Sequence, residues 1–214
     1  MASGRRGNPD RARSSHAGSD GASGWAAARG QQDRTRIAQA TARLIAEHGQ
    51  QGWSLAKRKA ARQLLLPAST PLPSNDEIEL ALAEFQALFG GDAHARSLRA
   101  QRVHALAWMQ RMSTWAPLLV GGVAAGWASA HADIRIELAA DDPKAVEMTL
   151  AGAGVAYRAL PVHAGVHGTE LLIEEATASI RLSIVGANDR RSRPRNATDA
   201  RLDLAAVSAL LEGA

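Results

Sequence analysis

A chain of 214 residues with 46% apolar side chains is long enough for one domain plus a small extension. Its 4% aromatic content leaves the core to Ala, Leu, Val and Ile, and the lack of cysteine excludes disulfides and thiolate metal sites and fits a reducing cytoplasm. The net charge of +4 hints at nucleic acid, but Arg5, Arg6, Arg11, Arg13, Arg29, Arg34 and Arg36 supply the excess over Asp10, Asp20 and Asp33, and the rest of the chain is balanced, so bulk charge does not argue for such a partner.

Residues 1–33 are rich in Gly, Ser, Ala, Arg and Asp without a hydrophobic period, which predicts a disordered basic tail with no secretory signal. A helical region follows over 34–115. Ile37, Thr41, Leu44 and Ile45 recur at helical spacing up to Gly49. Ser54 is a natural cap for a second helix through Leu64, and the prolines of Pro67 to Ser74 make a loop. Ser74 or Asn75 caps a third helix with Ile78, Leu82, Phe85, Leu88 and Phe89 on one face, ended by Gly90 and Gly91. A fourth helix is expected from about Ala95 to Trp115, with Leu98, Val103, Leu106, Met109 and Met112 inside.

After Trp115 strands appear. Leu118 to Val120 is a short apolar run closed by Gly121 and Gly122, and the apolar segment Pro117 to Ala130 is too short to cross a bilayer. Asp133 to Ala139 alternates, with Ile134, Ile136 and Leu138 on one side and Asp133, Arg135 and Glu137 on the other. Pro143 opens a helix carrying Val146, Met148 and Leu150, Val155 to Val162 reads as a strand, and Glu170 to Glu175 with Ser179 to Val185 reads as a hairpin. Gly186 to Asp199 is an arginine-rich loop, and Leu202 to Leu211 marks a closing helix. The expected class is α+β: a helical segment, then a small mixed sheet with packed helices.

Several runs carry a resemblance: Ala56 to Ala61, Leu72 to Glu79 leading to Phe85 and Leu88-Phe89, Gly121-Gly122 ten residues before Asp133, and Asp142 to Glu147. With these the chain resembles short proteobacterial proteins labelled nucleotidyltransferase, with the fold of polymerase beta. The resemblance makes 116–214 the nucleotidyltransferase-like α/β region. It implies that Gly121 and Gly122 let backbone amides approach the triphosphate of a nucleoside triphosphate, beside Arg135, and that Asp133 is the catalytic and metal-holding acid for Mg²⁺.

The acid set departs from that pattern. Arg135 stands where a second metal-binding acid belongs, and Arg181 where the third is expected. Glu137 shares the strand face, but its Cα is roughly 13 Å from that of Asp133, too far for one Mg²⁺ whose oxygen ligands sit at about 2.1 Å. Asp133 is then free to pair with Arg135. The plain structural readings are a tight turn at Gly121-Gly122 and a paired strand acid at Asp133.

Lys57, Arg58, Lys59 and Arg62 put four cations within two helical turns, a phosphate-backbone contact for RNA or else a solvated face pairing with Glu77 and Glu79. Arg190, Arg191, Arg193 and Arg195 form a second basic cluster. The histidines lack metal-ligand spacing, and only His131 lies near Asp133. Two functions follow as expectations. One is Mg²⁺-dependent nucleotidyl transfer with a degenerate metal site. The other is a non-catalytic module that binds RNA or a protein through the basic helical half. Neither involves a membrane.

Overall fold

The computed structural model describes residues 19–48, 52–161, 168–192 and 200–213. Three helices come first: α1 (Ser19–His48), α2 (Trp53–Gln63) and α3 (Asn75–Phe89). The first of them reaches back to Ser19, into the stretch whose composition reads as tail; residues 1–18 lie outside the described residues. Buried Ile37, Ala38, Ala42, Leu44 and Ile45 of α1 meet Ala56 and Ala60 of α2 and Ile78, Ala81 and Leu82 of α3. Small alanines on α2 let its backbone come close to α1.

The helix starts differ in detail from expectation. Gly52, not Ser54, precedes α2, and its side chain offers no cap. At α3 the cap is Ser74, whose Oγ accepts from the Glu77 amide at 3.1 Å while the Ser74 amide donates to Glu77 Oε2 at 2.7 Å, a reciprocal capping box. The expected apolar face of α3 is buried only in its first two turns. Leu88 and Phe89 are exposed, because nothing in the three-helix layer covers the last turn.

The fourth helix, α4 (Gly91–Arg111), follows α3 across the Gly90-Gly91 bend, and a 3₁₀ turn occupies Ser113–Trp115. Then come β1 (Leu118–Val120), the single-turn α5 (Gly122–Ala125), β2 (Ile134–Ala139), α6 (Pro143–Gly152), β3 (Arg158–Leu160), β4 (Thr169–Glu174), β5 (Ser179–Val185), α7 (Ala187–Ser192), β6 (Arg201–Leu202) and α8 (Leu204–Glu212). The strands form one six-stranded sheet in the order β3-β4-β5-β2-β1-β6. Only β2 and β5 are parallel; every other neighbouring pair is antiparallel. The expected α+β class, helices followed by a mixed sheet, is what the chain adopts.

Local differences again have physical causes. A helix, α7, stands in the stretch that reads as an arginine-rich loop, and Leu202 belongs to β6 rather than to the closing helix. Met148 is exposed while Val146 and Leu150 are buried, since the latter pair are four apart and Met148 points away from them. No described helix is long and apolar enough to cross a membrane, and Pro117 to Ala130 is a strand, a turn and a short helix.

One face of the sheet is the main core. Ile134, Ile136 and Leu138 of β2, Leu171 and Ile173 of β4, and Ile180, Leu182 and Ile184 of β5 pack with Val146 and Leu150 of α6 and Val207 of α8. Ala105, Trp108 and Met109 of α4 join them, with Met112 just after it, so α4 belongs to the sheet's core although it was expected in the helical region ending at residue 115. Val103 lies off this stripe and is exposed.

Polar side chains of α4 also satisfy carbonyls that the β1–β2 connection leaves without strand partners. Arg102 Nε donates to Val123 O at 3.2 Å, Gln101 Nε2 to Ser129 O at 2.9 Å, and His94 Nε2 lies 3.0 Å from Gly126 O. Burial pushes the Arg102 guanidinium below its ordinary pKa. Further along, His104 Nε2 sits 2.6 Å from Glu175 Oε2 and Trp108 Nε1 donates to Glu175 Oε1 at 3.1 Å, which ties α4 to the turn between β4 and β5.

Because Met109 is fully buried against the sheet, Met109→Ala is expected to cost about 3 kcal/mol of unfolding free energy in a urea titration. A cost under about 1 kcal/mol would mean that α4 is not part of the core.

Candidate functional site

The face of the sheet opposite the core carries the charge. Strand alternation sends Arg135 and Glu137 of β2, Ser179, Arg181 and Ser183 of β5, and Glu170, Leu172 and Glu174 of β4 to that side. Register then aligns them in rows across the strands. The central row reads Arg158, Leu172, Arg181, Arg135, Val120, Arg201. One flanking row holds Leu160, Glu170, Ser183, Glu137 and Leu118. The other holds Glu174 and Ser179, with Asp133 just ahead of β2. Four arginines therefore form a stripe with carboxylates on both sides, and neighbouring strands are about 4.8 Å apart.

Asp133 pairs with Arg181, not with Arg135 as the sequence suggested. Arg181 Nη2 and Nε donate to Asp133 Oδ2 at 2.6 and 3.2 Å, and Arg181 Nη1 donates to Glu170 Oε2 at 3.4 Å. Register explains the difference: Arg135 and Arg181 are cross-strand partners, and Asp133 lies one row away on the side that the Arg181 guanidinium reaches. Ser183 Oγ also donates to Glu170, at 3.3 Å.

Glu137 belongs to a second cluster. It is 3% exposed, and its Oε1 lies 3.2 Å from Arg190 Nε and 3.5 Å from Arg201 Nη1. Arg190 arrives from α7 and also donates to Ala116 O at 2.6 Å. Burial pushes the Arg190 guanidinium below its ordinary value, and Glu137 opposes that shift. Arg158 and Glu174 make a looser pair at 3.9 Å.

Arg135 differs from its row. It is exposed and has no ion pair among the described residues. Its stem crosses Gly121: a Cβ there would stand 3.4 Å from Arg135 Cδ. Gly121 has φ +70°, a backbone that a larger residue adopts only with strain. At Gly122 a Cβ would come within 2.6 Å of the Trp127 ring, which in turn packs against Trp53 of α2 at a centroid distance of 5.9 Å. The glycine pair thus shapes a strand-to-helix turn and seats Trp127, and it leaves room for Arg135.

These side chains do not fit Mg²⁺. The Arg181 guanidinium lies between the carboxylates of Asp133 and Glu170 and pairs with both. Glu137 is committed to two arginines, and among the described residues no three His, Cys, Asp or Glu side chains group to hold a metal. An ion would have to displace charge-assisted bonds already made within the protein.

The basic residues of α2 are not one patch. Lys57 Nζ turns to Asn75 Oδ1 at 2.9 Å, and burial lowers its pKa while Glu77 opposes the shift. Lys59 is half-buried; Arg58 and Arg62 are exposed and share a face, with Arg62 Nε 3.4 Å from Arg58 O. His131 is exposed. Arg193 and Arg195 lie outside the described residues, as do His163 and His167.

Sequence reading missed Glu170, Arg158 and Arg201. The alternation of β4 and β5 was a usable signal, because pairing these two strands as a hairpin places Glu170 two residues from the partner of Arg181. The short edge strands gave no comparable periodicity.

Replacing Glu137 by Gln removes the buried carboxylate that Arg190 and Arg201 share. Glu137→Gln is expected to cost about 3 kcal/mol in chemical denaturation. A neutral result would place Glu137 in water. No family model, curated protein or solved structure matches the chain, so the reading of this site rests on its own geometry.

Proposed function

We infer that the chain binds the phosphate groups of a nucleotide on the open face of its sheet, using arginine where the polymerase-beta-type nucleotidyltransferases it resembles use acid-bound metal. The supporting observation is Arg135, an exposed guanidinium at the centre of an arginine row, beside a positive-φ glycine and without a carboxylate partner among the described residues. A guanidinium presents a fork of donors that matches phosphate oxygens. Arg181, next in the row, has its charge spread over Asp133 and Glu170, so Arg135 is the cation left to meet an anion.

This is a binding function. Nucleotidyl transfer requires the acceptor hydroxyl to be activated and the leaving pyrophosphate stabilised, which the transferase family does with two metals on three acids. Here two of those three positions are Arg135 and Arg181, and Asp133 is paired with Arg181. A second reading, RNA held by the helical half, draws on the exposed pair Arg58 and Arg62, but Lys57 is already engaged by α3.

Tripolyphosphate or ATP is expected to raise the melting temperature with EDTA present, and Arg135→Ala to weaken binding about tenfold, equivalent to one charge-assisted contact. Asp133→Asn should leave the binding of tripolyphosphate in place. Stabilisation that needs Mg²⁺ and vanishes in Asp133→Asn would restore the metal reading. Affinity for RNA but not for ATP, lost when Arg58 and Arg62 are neutralised, would favour the helical half.

A further inference from the structure

Beside Arg181, on the side away from Arg135, the open face dips into a groove of about 260 Å³ between β3, β4 and β5. Leu160, Pro161 and Leu172 supply its apolar lining, and Asp133, Glu170, Glu174 and Ser179 its polar lining, with the guanidinium groups of Arg158 and Arg181. Both arginines are turned to carboxylates within the same wall: Arg181 to Asp133 and Glu170, Arg158 to Glu174. What the wall presents outward is therefore acceptor capacity. Carboxylates only accept, and both Arg181 bonds to Asp133 end on Oδ2, so Oδ1 keeps its lone pairs. Glu174 is largely exposed and pairs with Arg158 at 3.9 Å.

A groove with three carboxylates against two guanidinium groups repels phosphate and favours groups that donate hydrogen bonds. Its volume lies below the range of about 300–1,000 Å³ for pockets that enclose a drug-sized ligand, and suits a single ring. Arg181 is one strand, about 4.8 Å, from Arg135, so a ligand with its phosphate at Arg135 brings the adjoining group to the groove's mouth.

We propose that the groove is a sugar subsite, in which Asp133 Oδ1 and Glu174 accept hydrogen bonds from the vicinal hydroxyls of a ribose whose phosphates lie at Arg135. Carboxylates hold ribose hydroxyls in the same way in dinucleotide-binding folds, where the acid reads the hydroxyl as a donor. This subsite rests on the phosphate-binding reading of Arg135. It assigns Asp133 a part in recognition that needs no metal, and it makes the ligand a ribonucleotide rather than a bare polyphosphate.

Isothermal titration of the full chain in EDTA with tripolyphosphate, 2′,3′-dideoxy-ATP and ATP tests the subsite. ATP is expected to bind about tenfold more tightly than the dideoxy analogue, which has the same base and phosphates, and Glu174→Gln should remove most of that advantage. Equal affinities for ATP and the dideoxy analogue would overturn the sugar subsite while leaving the phosphate site standing. An ATP advantage unchanged in Glu174→Gln and in Asp133→Asn would place the hydroxyls elsewhere and overturn the subsite too. Failure of all three ligands, tripolyphosphate included, would overturn the phosphate reading and the subsite with it.

Discussion

Arg181 is held by carboxylates from two different strands, Asp133 at the head of β2 and Glu170 on β4, while itself standing on β5. The guanidinium thereby ties three neighbouring strands together on the face opposite the apolar core. With 28% of the Arg181 side chain exposed and 14% of Asp133, the pair is shielded enough for its loss to matter more than that of an ordinary surface ion pair. The same interaction decides the chemistry of the face. The cation shared by the two acids offsets part of their charge, and Arg135, its cross-strand neighbour, has no ion pair among the described residues.

The opposite face is organised by α4. Its apolar stripe enters the sheet core, while His94, Gln101 and Arg102 satisfy carbonyls of the segment that joins β1 to β2. That segment contains the glycine pair and the Trp127 that reaches Trp53. The helical layer, the glycine turn and the arginine row are thus connected through packed groups.

Much of this was legible where the determinants are local. The strict alternation of Asp133 to Ala139 identified β2 and its two faces, and the Pro143 and Ser74 signals placed α6 and α3. Arg135 as a cation on the polar face of that strand was readable from one residue. The partner of Asp133 was not, because it depends on β2 pairing with β5 in parallel, and a register between segments so far apart in sequence leaves no local mark. Burial also depends on what lies opposite. Val103, Met148, Leu88 and Phe89 are apolar residues on amphipathic helices, yet each ends exposed because the neighbouring layer stops short or the stripe passes to one side. Glu137, polar by type, ends buried because α7 and β6 bring Arg190 and Arg201 over it.

Arg181 stands between the carboxylates of Asp133 and Glu170 and makes this pair a poor site for a divalent ion. Electron paramagnetic resonance of Mn²⁺ titrated into the protein without nucleotide examines it most directly, since protein-bound Mn²⁺ loses the sharp free-ion signal. The free-ion signal is expected to stay undiminished with the wild-type chain, with the same titration curve for Asp133→Asn. A signal lost on adding the wild-type protein and restored in Asp133→Asn would contradict it, because a divalent ion would then be sitting where Arg181 is placed.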